Sequence, residues 1–364
     1  MSELAPQPEI RSVDSYYSSS ASPNADPHRY PGERPDHSFY TDGVDVMPIE
    51  VADDFSMTVV TRNGVQPIND MLTEAGVPTM EERIPIVAYG ANLCPQTLRN
   101  KMKQEGRPDL AIVPTVYGWL HGADVVWGER PGVRGAFFAE LYADESVADT
   151  SVLVGINFLT PEQILFMHKS EGSYNFGNFS EVTLENGRNV PAQMYVGAGN
   201  ALQKDGQPVA VEGIERQNGH LPSQNSFDTL EYLLENDIVR SAIASNMGVA
   251  PEEVTARGYT DFMLSLEPPE RLIKARTLIP VVREAGLSAS TGMSDVATKI
   301  HSWSNPSTAP RWANILSGTP ASTLINLPEQ ELPREGLSEE ALDARSKVLT
   351  AVQKHWHRSV GRLK

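Results

Sequence analysis

IPIVAYGANLCPQTLRNKMK, residues 84–103, is the stretch from which the fold reads outward. Ile84, Ile86 and Val87 make a short buried strand. Tyr89-Gly90-Ala91-Asn92-Leu93 breaks that pattern, and Cys94-Pro95 opens an amphipathic run. Pro95 suits a first helical turn, where the missing N–H has no partner to lose. Leu98 and Met102 recur four apart among Arg99, Asn100, Lys101 and Lys103, which predicts a helix facing a core. A strand that enters a helix through a glycine turn aims backbone N–H groups at one point, and such a point attracts a carboxylate or a phosphate. The same turn also occurs in many α/β proteins without a ligand.

Upstream, residues 1–50 hold Ser18-Ser19-Ser20, seven prolines and few aliphatic residues. The expectation is a disordered acidic arm that buries too little apolar surface to offset its ordering entropy. Residues 51–83 read as a small appendage. It comprises a hairpin over Met57–Gln66 on a type I′ turn at Asn63-Gly64, then a short helix closed by Gly76. Downstream, strands are expected at 111–120, 123–127, 135–142 and 152–159, where aromatic and β-branched residues are punctuated by glycine and proline. Thr160-Pro161-Glu162-Gln163 carries an N-cap, a first-turn proline and a capping box. The helix it starts runs through His168 to a stop at Gly172. Strands 179–184 and 191–196 follow across Asn186-Gly187. The reading is α+β with a curled, barrel-like sheet over 84–222.

Residues 201–222 read as a polar loop. Residues 223–364 read as a mainly helical region, with one stripe over 227–247, further helices at 251–263 and 269–284, a Ser/Thr/Pro/Gly-rich segment at 286–335 and a last helix at 338–358.

Composition narrows the functional classes. The chain has 364 residues, 40% of them hydrophobic and 21% charged, with a net charge of −17. That balance argues against general nucleic-acid binding. The acidity is uneven, because residues 1–83 hold 15 Asp/Glu against 5 Lys/Arg, a net −10, and leave −7 for the rest. No run of 18 apolar residues occurs, so no membrane span is expected, and no basic-then-apolar leader is visible. One cysteine, Cys94, cannot form an internal disulfide, which makes a cytoplasmic location the default.

The candidate catalytic group is Glu171. Ile164, Met167 or His168, and Glu171 share one stripe of the helix. A carboxylate there, at the negative end of the macrodipole and on the apolar side, is electrostatically uncomfortable, as a general base can be. The plainer alternative is a terminal-turn glutamate that bends into solvent or pairs with Lys169 or Arg188. Cys94, at a helix N-terminus, is either a thiol nucleophile or a buried inert residue, and the latter is favoured because the eight histidines give no ordered partner motif. His355 and His357 lie on different helix faces, and His168 with Glu171 lacks a second pair, so no metal is expected.

Together, Val87-Ala88-Tyr89-Gly90-Ala91-Asn92-Leu93 and the block Val154–Gln163 running on to Tyr174 resemble the γ-glutamylcyclotransferase-like family. The first is similar to its YGSNL loop, and the second to the strand and capped helix that lead to its catalytic glutamate. The resemblance covers residues 84–200. It implies a γ-glutamylcyclotransferase-like mixed β-barrel with flanking helices, and release of 5-oxoproline and a free amine from a γ-glutamyl amine or peptide without metal or organic cofactor. Tyr89, Gly90, Ala91, Asn92 and Leu93 would hold the amino-acid end of the substrate, Glu171 would move the proton, and Tyr174 is a candidate hydroxyl donor or a packed core tyrosine. Ala91 stands where the family has serine. The competing expectation is a non-catalytic binding or scaffold module, with a protein partner on the N-terminal arm or the C-terminal helices.

Overall fold

The structure, a computed structural model, describes residues 9–17, 27–104, 108–132, 135, 137–171, 174–197 and 199–291. The expected stop at Gly172 and the last helix at 338–358 lie outside these residues, as does the segment 286–335 beyond 291.

In chain order the described strands are β1 (Arg11–Ser12), β2 (Phe39–Thr41), β3 (Asp45–Val51), β4 (Met57–Thr61), β5 (Gly64–Pro67), β6 (Ile84–Ala88), β7 (Val113–His121), β8 (Asp124–Pro131), β9 (Phe137–Tyr142), β10 (Ser151–Leu159), β11 (Tyr174–Leu184), β12 (Asn189–Gly197), β13 (Asn200–Lys204), β14 (Gln207–Pro208), β15 (Ala210–Val211), β16 (Arg216–Gln217), β17 (Ser223–Gln224) and β18 (Ser288–Ser290). The described α-helices are α1 (Ile68–Glu74), α2 (Pro95–Gln104), α3 (Pro161–Ser170), α4 (Ser226–Leu234), α5 (Asp237–Met247), α6 (Ala256–Ser265) and α7 (Pro268–Glu284).

Five strands close a barrel in the order β10-β6-β12-β11-β7 and back to β10. Every pair is antiparallel except β12 with β6, where Gln193 lies beside Ile86 and Met194 beside Val87. Apolar residues fill both faces of the wall. Val87, Val116, Val154, Ile156, Val182 and Met194 belong to the main core. Ile86, on the opposite face of β6 from Val87, packs with Leu98 and Met102 of α2 and with Ile164 and Met167 of α3. Burial on both faces explains why these strands read as apolar runs rather than strict alternation.

A second layer is built on β8, which pairs with β9, β13 and β15. Helices α4 to α7 complete it, with Leu230, Ile243, Tyr259, Leu278 and Val282 joining Trp127 and Phe137 in the core. The single stripe expected over 227–247 is two helices. Asn236 breaks it by accepting from the N–H groups of Ile238 (3.0 Å) and Val239 (3.3 Å), an N-cap inside the run.

Three expectations are corrected. The arm over 1–50 is not disordered where described: β2 pairs with β7, β3 with β2, and Val13, Tyr16 and Phe39 are buried against Ala88, Leu93 and Tyr117. Such a segment needs no core of its own, because a barrel strand supplies its hydrogen-bond partners. The appendage over 51–83 continues the same sheet through β4 and β5. Its hairpin turn is not type I′, since the left-handed residue is Gly64 (φ 119°) and neither Arg62 nor Asn63 has positive φ. The polar loop over 201–222 contains β13 to β16, with Ala201, Leu202, Val209, Ala210 and Val211 buried.

Candidate functional site

β6 leaves the barrel at Ala88, and the chain turns through Tyr89 and Gly90 (φ −122°, ψ −138°) into a 3-10 turn, Ala91–Leu93, before α2. The turn closes on itself, with Leu93 N donating to Gly90 O and Cys94 N to Ala91 O, both at 3.1 Å. The barrel fixes it from below. Thr115 Oγ1 donates to Asn157 Oδ1 (2.9 Å), and Asn157 Nδ2 donates to the Asn92 carbonyl (3.1 Å). Leu93 anchors it over Gly155, where a Cβ would stand 2.2 Å from Leu93 Cδ2.

α3 delivers Glu171 to this turn. Its start is as expected, with Thr160 Oγ1 accepting from Gln163 N (3.2 Å) and Gln163 Oε1 accepting from Thr160 N (2.8 Å). Glu171 is the C-cap, its N–H donating to Met167 O (2.9 Å). Asn92 Nδ2 and Lys101 Nζ both donate to Glu171 Oε1, at 3.2 Å and 2.8 Å, and Lys101 also donates to Asn92 Oδ1 at 2.7 Å. The ammonium offsets the charge of a carboxylate placed at a helix C-terminus. Of the pairings expected instead, Arg188 is engaged elsewhere, on the Asp53 carbonyl.

No family model, no curated protein and no solved structure matches this chain.

Around the turn lies a ring of buried phenols. Tyr89 donates to the Tyr195 carbonyl (2.7 Å) and Tyr174 to the Ala139 carbonyl (2.9 Å). Burial raises Tyr89, Tyr174 and Tyr195 well above the usual phenol range, with nearby carboxylates adding to it, so all three are neutral hydroxyls. Of the two readings of Tyr174, the packed tyrosine is the one this geometry favours, because its proton is already placed. Burial also raises the Cys94 thiol, as the inert reading expects. Among the described residues no cluster of three or more His, Cys, Asp and Glu side chains is arranged to hold a metal.

Two features of this site escape the sequence. Glu140 of β9 is 1% exposed, with Oε1 on Arg130 Nη2 at 3.1 Å and Oε2 without a hydrogen-bond partner. Burial pushes its carboxyl up to about 7, against the pull of Arg130 and with help from the charges of Glu129 and Glu171. Gly128 and Gly197 make room for it, since a Cβ on Gly197 would lie 1.2 Å from Glu140 Oε2. The second is Tyr30, whose hydroxyl oxygen accepts from Ala139 N at 3.3 Å and abuts Gly90. The closely spaced glycines at 128, 132 and 135 and at 197 and 199 are the available signal for a crowded interior. Nothing in the sequence near Tyr30 pointed to the barrel.

Proposed function

We propose that this protein is a γ-glutamylcyclotransferase-like acyl transferase that releases 5-oxoproline and a free amine from a γ-glutamyl amine or peptide. What supports the reading is one observation: the Glu171 carboxyl and the Asn92 side chain of the 89–93 turn meet at 3.2 Å, although α3 and β6 are far apart in the chain. The turn holds the amino-acid end of the substrate, and Gly90 lets the backbone come close. The Glu171 carboxylate accepts a proton from the α-ammonium. The freed amine attacks the γ-carbonyl carbon and closes a five-membered ring. The adduct then collapses with cleavage of the γ-carbon–nitrogen bond, the proton held by Glu171 passes to the leaving nitrogen, and the ring nitrogen gives up its second proton through the restored carboxylate to the released amine. Because nucleophile and electrophile belong to one molecule, orientation supplies much of the rate. Tyr89 and Tyr174, with hydroxyls tied to backbone carbonyls, form walls rather than donors.

Incubation with a panel of γ-glutamyl dipeptides and amines, read as 5-oxoproline, tests this. The expected outcome is release by the wild type and a loss of about a hundredfold or more in Glu171→Gln, the scale of a lost general base. A binding module on the same fold is the second reading, favoured by Ala91 in place of a hydroxyl residue; silence across the whole panel selects it.

A further inference from the structure

We infer that the Tyr30 hydroxyl holds the place of a substrate carboxylate oxygen, so that the segment around it is a built-in occupant that an amino-acid ligand must displace. The inference rests on the 89–93 turn being the substrate-holding turn.

Tyr30 belongs neither to the barrel nor to its helices. It reaches the turn from the N-terminal segment, where sequence alone predicts disorder. Its oxygen accepts the Ala139 backbone N–H at 3.3 Å, and the Ala91 backbone N–H also stabilises negative charge there. One backbone N–H is hydrogen-bonded to this oxygen and a second, from the first residue of the 3-10 turn, favours negative charge on it, surroundings of the kind that stabilise an oxyanion. The approach is close enough that a Cβ on Gly90 would stand 2.3 Å from the hydroxyl.

The occupant is a weak one. Burial and the neighbouring Glu171 and Glu140 charges keep the phenol neutral. Hydrogen bonds to an ionised acceptor are roughly twice as strong as neutral ones, so a carboxylate oxygen outcompetes a phenol for the Ala139 N–H. An α-amino acid is the ligand class that fits, because its ammonium meets the Glu171 carboxylate while its carboxylate takes the place of the hydroxyl. A ligand with a carboxylate and no ammonium would bring a further negative charge beside Glu171 and Glu140 with no cation of its own.

The experiment is calorimetric titration of L-glutamate into the wild type, Tyr30→Phe and Tyr30→Ala, with amide hydrogen exchange followed over residues 27–35. Tyr30→Phe keeps the ring beside Trp127, whose centroid lies 5.5 Å away, and so guards against misfolding of the alanine variant. Losing one competing neutral hydrogen bond predicts affinity up to about tenfold tighter in both variants. Glutamate added to the wild type should also speed exchange over 27–35. Unchanged or weaker affinity in both variants, or no glutamate binding by any of the three proteins, overturns the inference. A parallel 5-oxoproline assay separates the two claims. Tighter binding without turnover keeps the occupant and removes the reaction, whereas turnover with affinity indifferent to Tyr30 does the reverse.

Discussion

Glu171 and Glu140 are two carboxyls near one turn with opposite surroundings. Glu171 has Lys101 and Asn92 on one oxygen, while Glu140 is sealed in with a single guanidinium contact and an oxygen left bare. The second makes stability depend on pH. The Glu140 carboxyl titrates at about 7 in the fold and at 4.5 ordinarily. Between those values the folded chain keeps a proton that the unfolded chain has lost, so stability falls as pH rises through this window, by roughly 3 kcal/mol in total. Glu140→Gln cannot titrate, and thermal melts at pH 5 and pH 8 should differ less in the variant than in the wild type. Glu171 was legible because a capped helix fixes which residue ends on its apolar stripe. Lys101 was not, since a lysine between Leu98 and Met102 reads as solvated until a second helix end is seen to face it. Glu140 was invisible for a related reason: strand periodicity gives a face but not what fills it.

At the scale of elements, turns separate what sequence can specify from what it cannot. Asn63-Gly64 and Asp205-Gly206 are both strong hairpin signals. Only the second adopts the two left-handed residues of a type I′ turn, with φ of 53° and 78° between the paired Lys204 and Gln207. The first shifts by one residue because the register of β4 on β5 pairs Thr61 with Gly64. On its other edge β4 is held by β3, with Val59 opposite Ile49. The strand-to-helix turn at 89–93 was readable, and its contact with Tyr30 supplies a test. Gly90→Ala should destabilise the fold by about 2 kcal/mol through overpacking against the hydroxyl. In the Tyr30→Phe background the Cβ meets the ring carbon at 3.4 Å and Ala139 Cβ at 3.6 Å, and the cost should fall by about half. Denaturant melts of the four proteins in this cycle measure the coupling.

Across the whole molecule, the expected division into arm, appendage, barrel and helical region dissolves where the chain is described. β2 to β5 widen the barrel sheet, and α7 is tied to β8 by Arg283, which grips the fully buried Glu129, with Ser288 Oγ adding a bond at 2.8 Å. Arg283→Ala leaves that carboxylate short of its cation. The expected loss is about 2 kcal/mol, less than for a fully enclosed pair because the guanidinium is half exposed. A chemical melt followed by tryptophan fluorescence and by far-ultraviolet circular dichroism should shift as one transition, since barrel and helices share a core. The five barrel strands were legible as segments and the sheet as barrel-like, but the pairing order that closes it was not, because pairing between distant strands leaves no mark in local periodicity. That closure has a kinetic side. The seam between β6 and β12 joins Ile86 to Gln193, a contact whose loop-closure entropy must be met before any ladder bond rewards it. During synthesis on the ribosome, β6 must therefore wait unpaired on that edge until β12 has emerged.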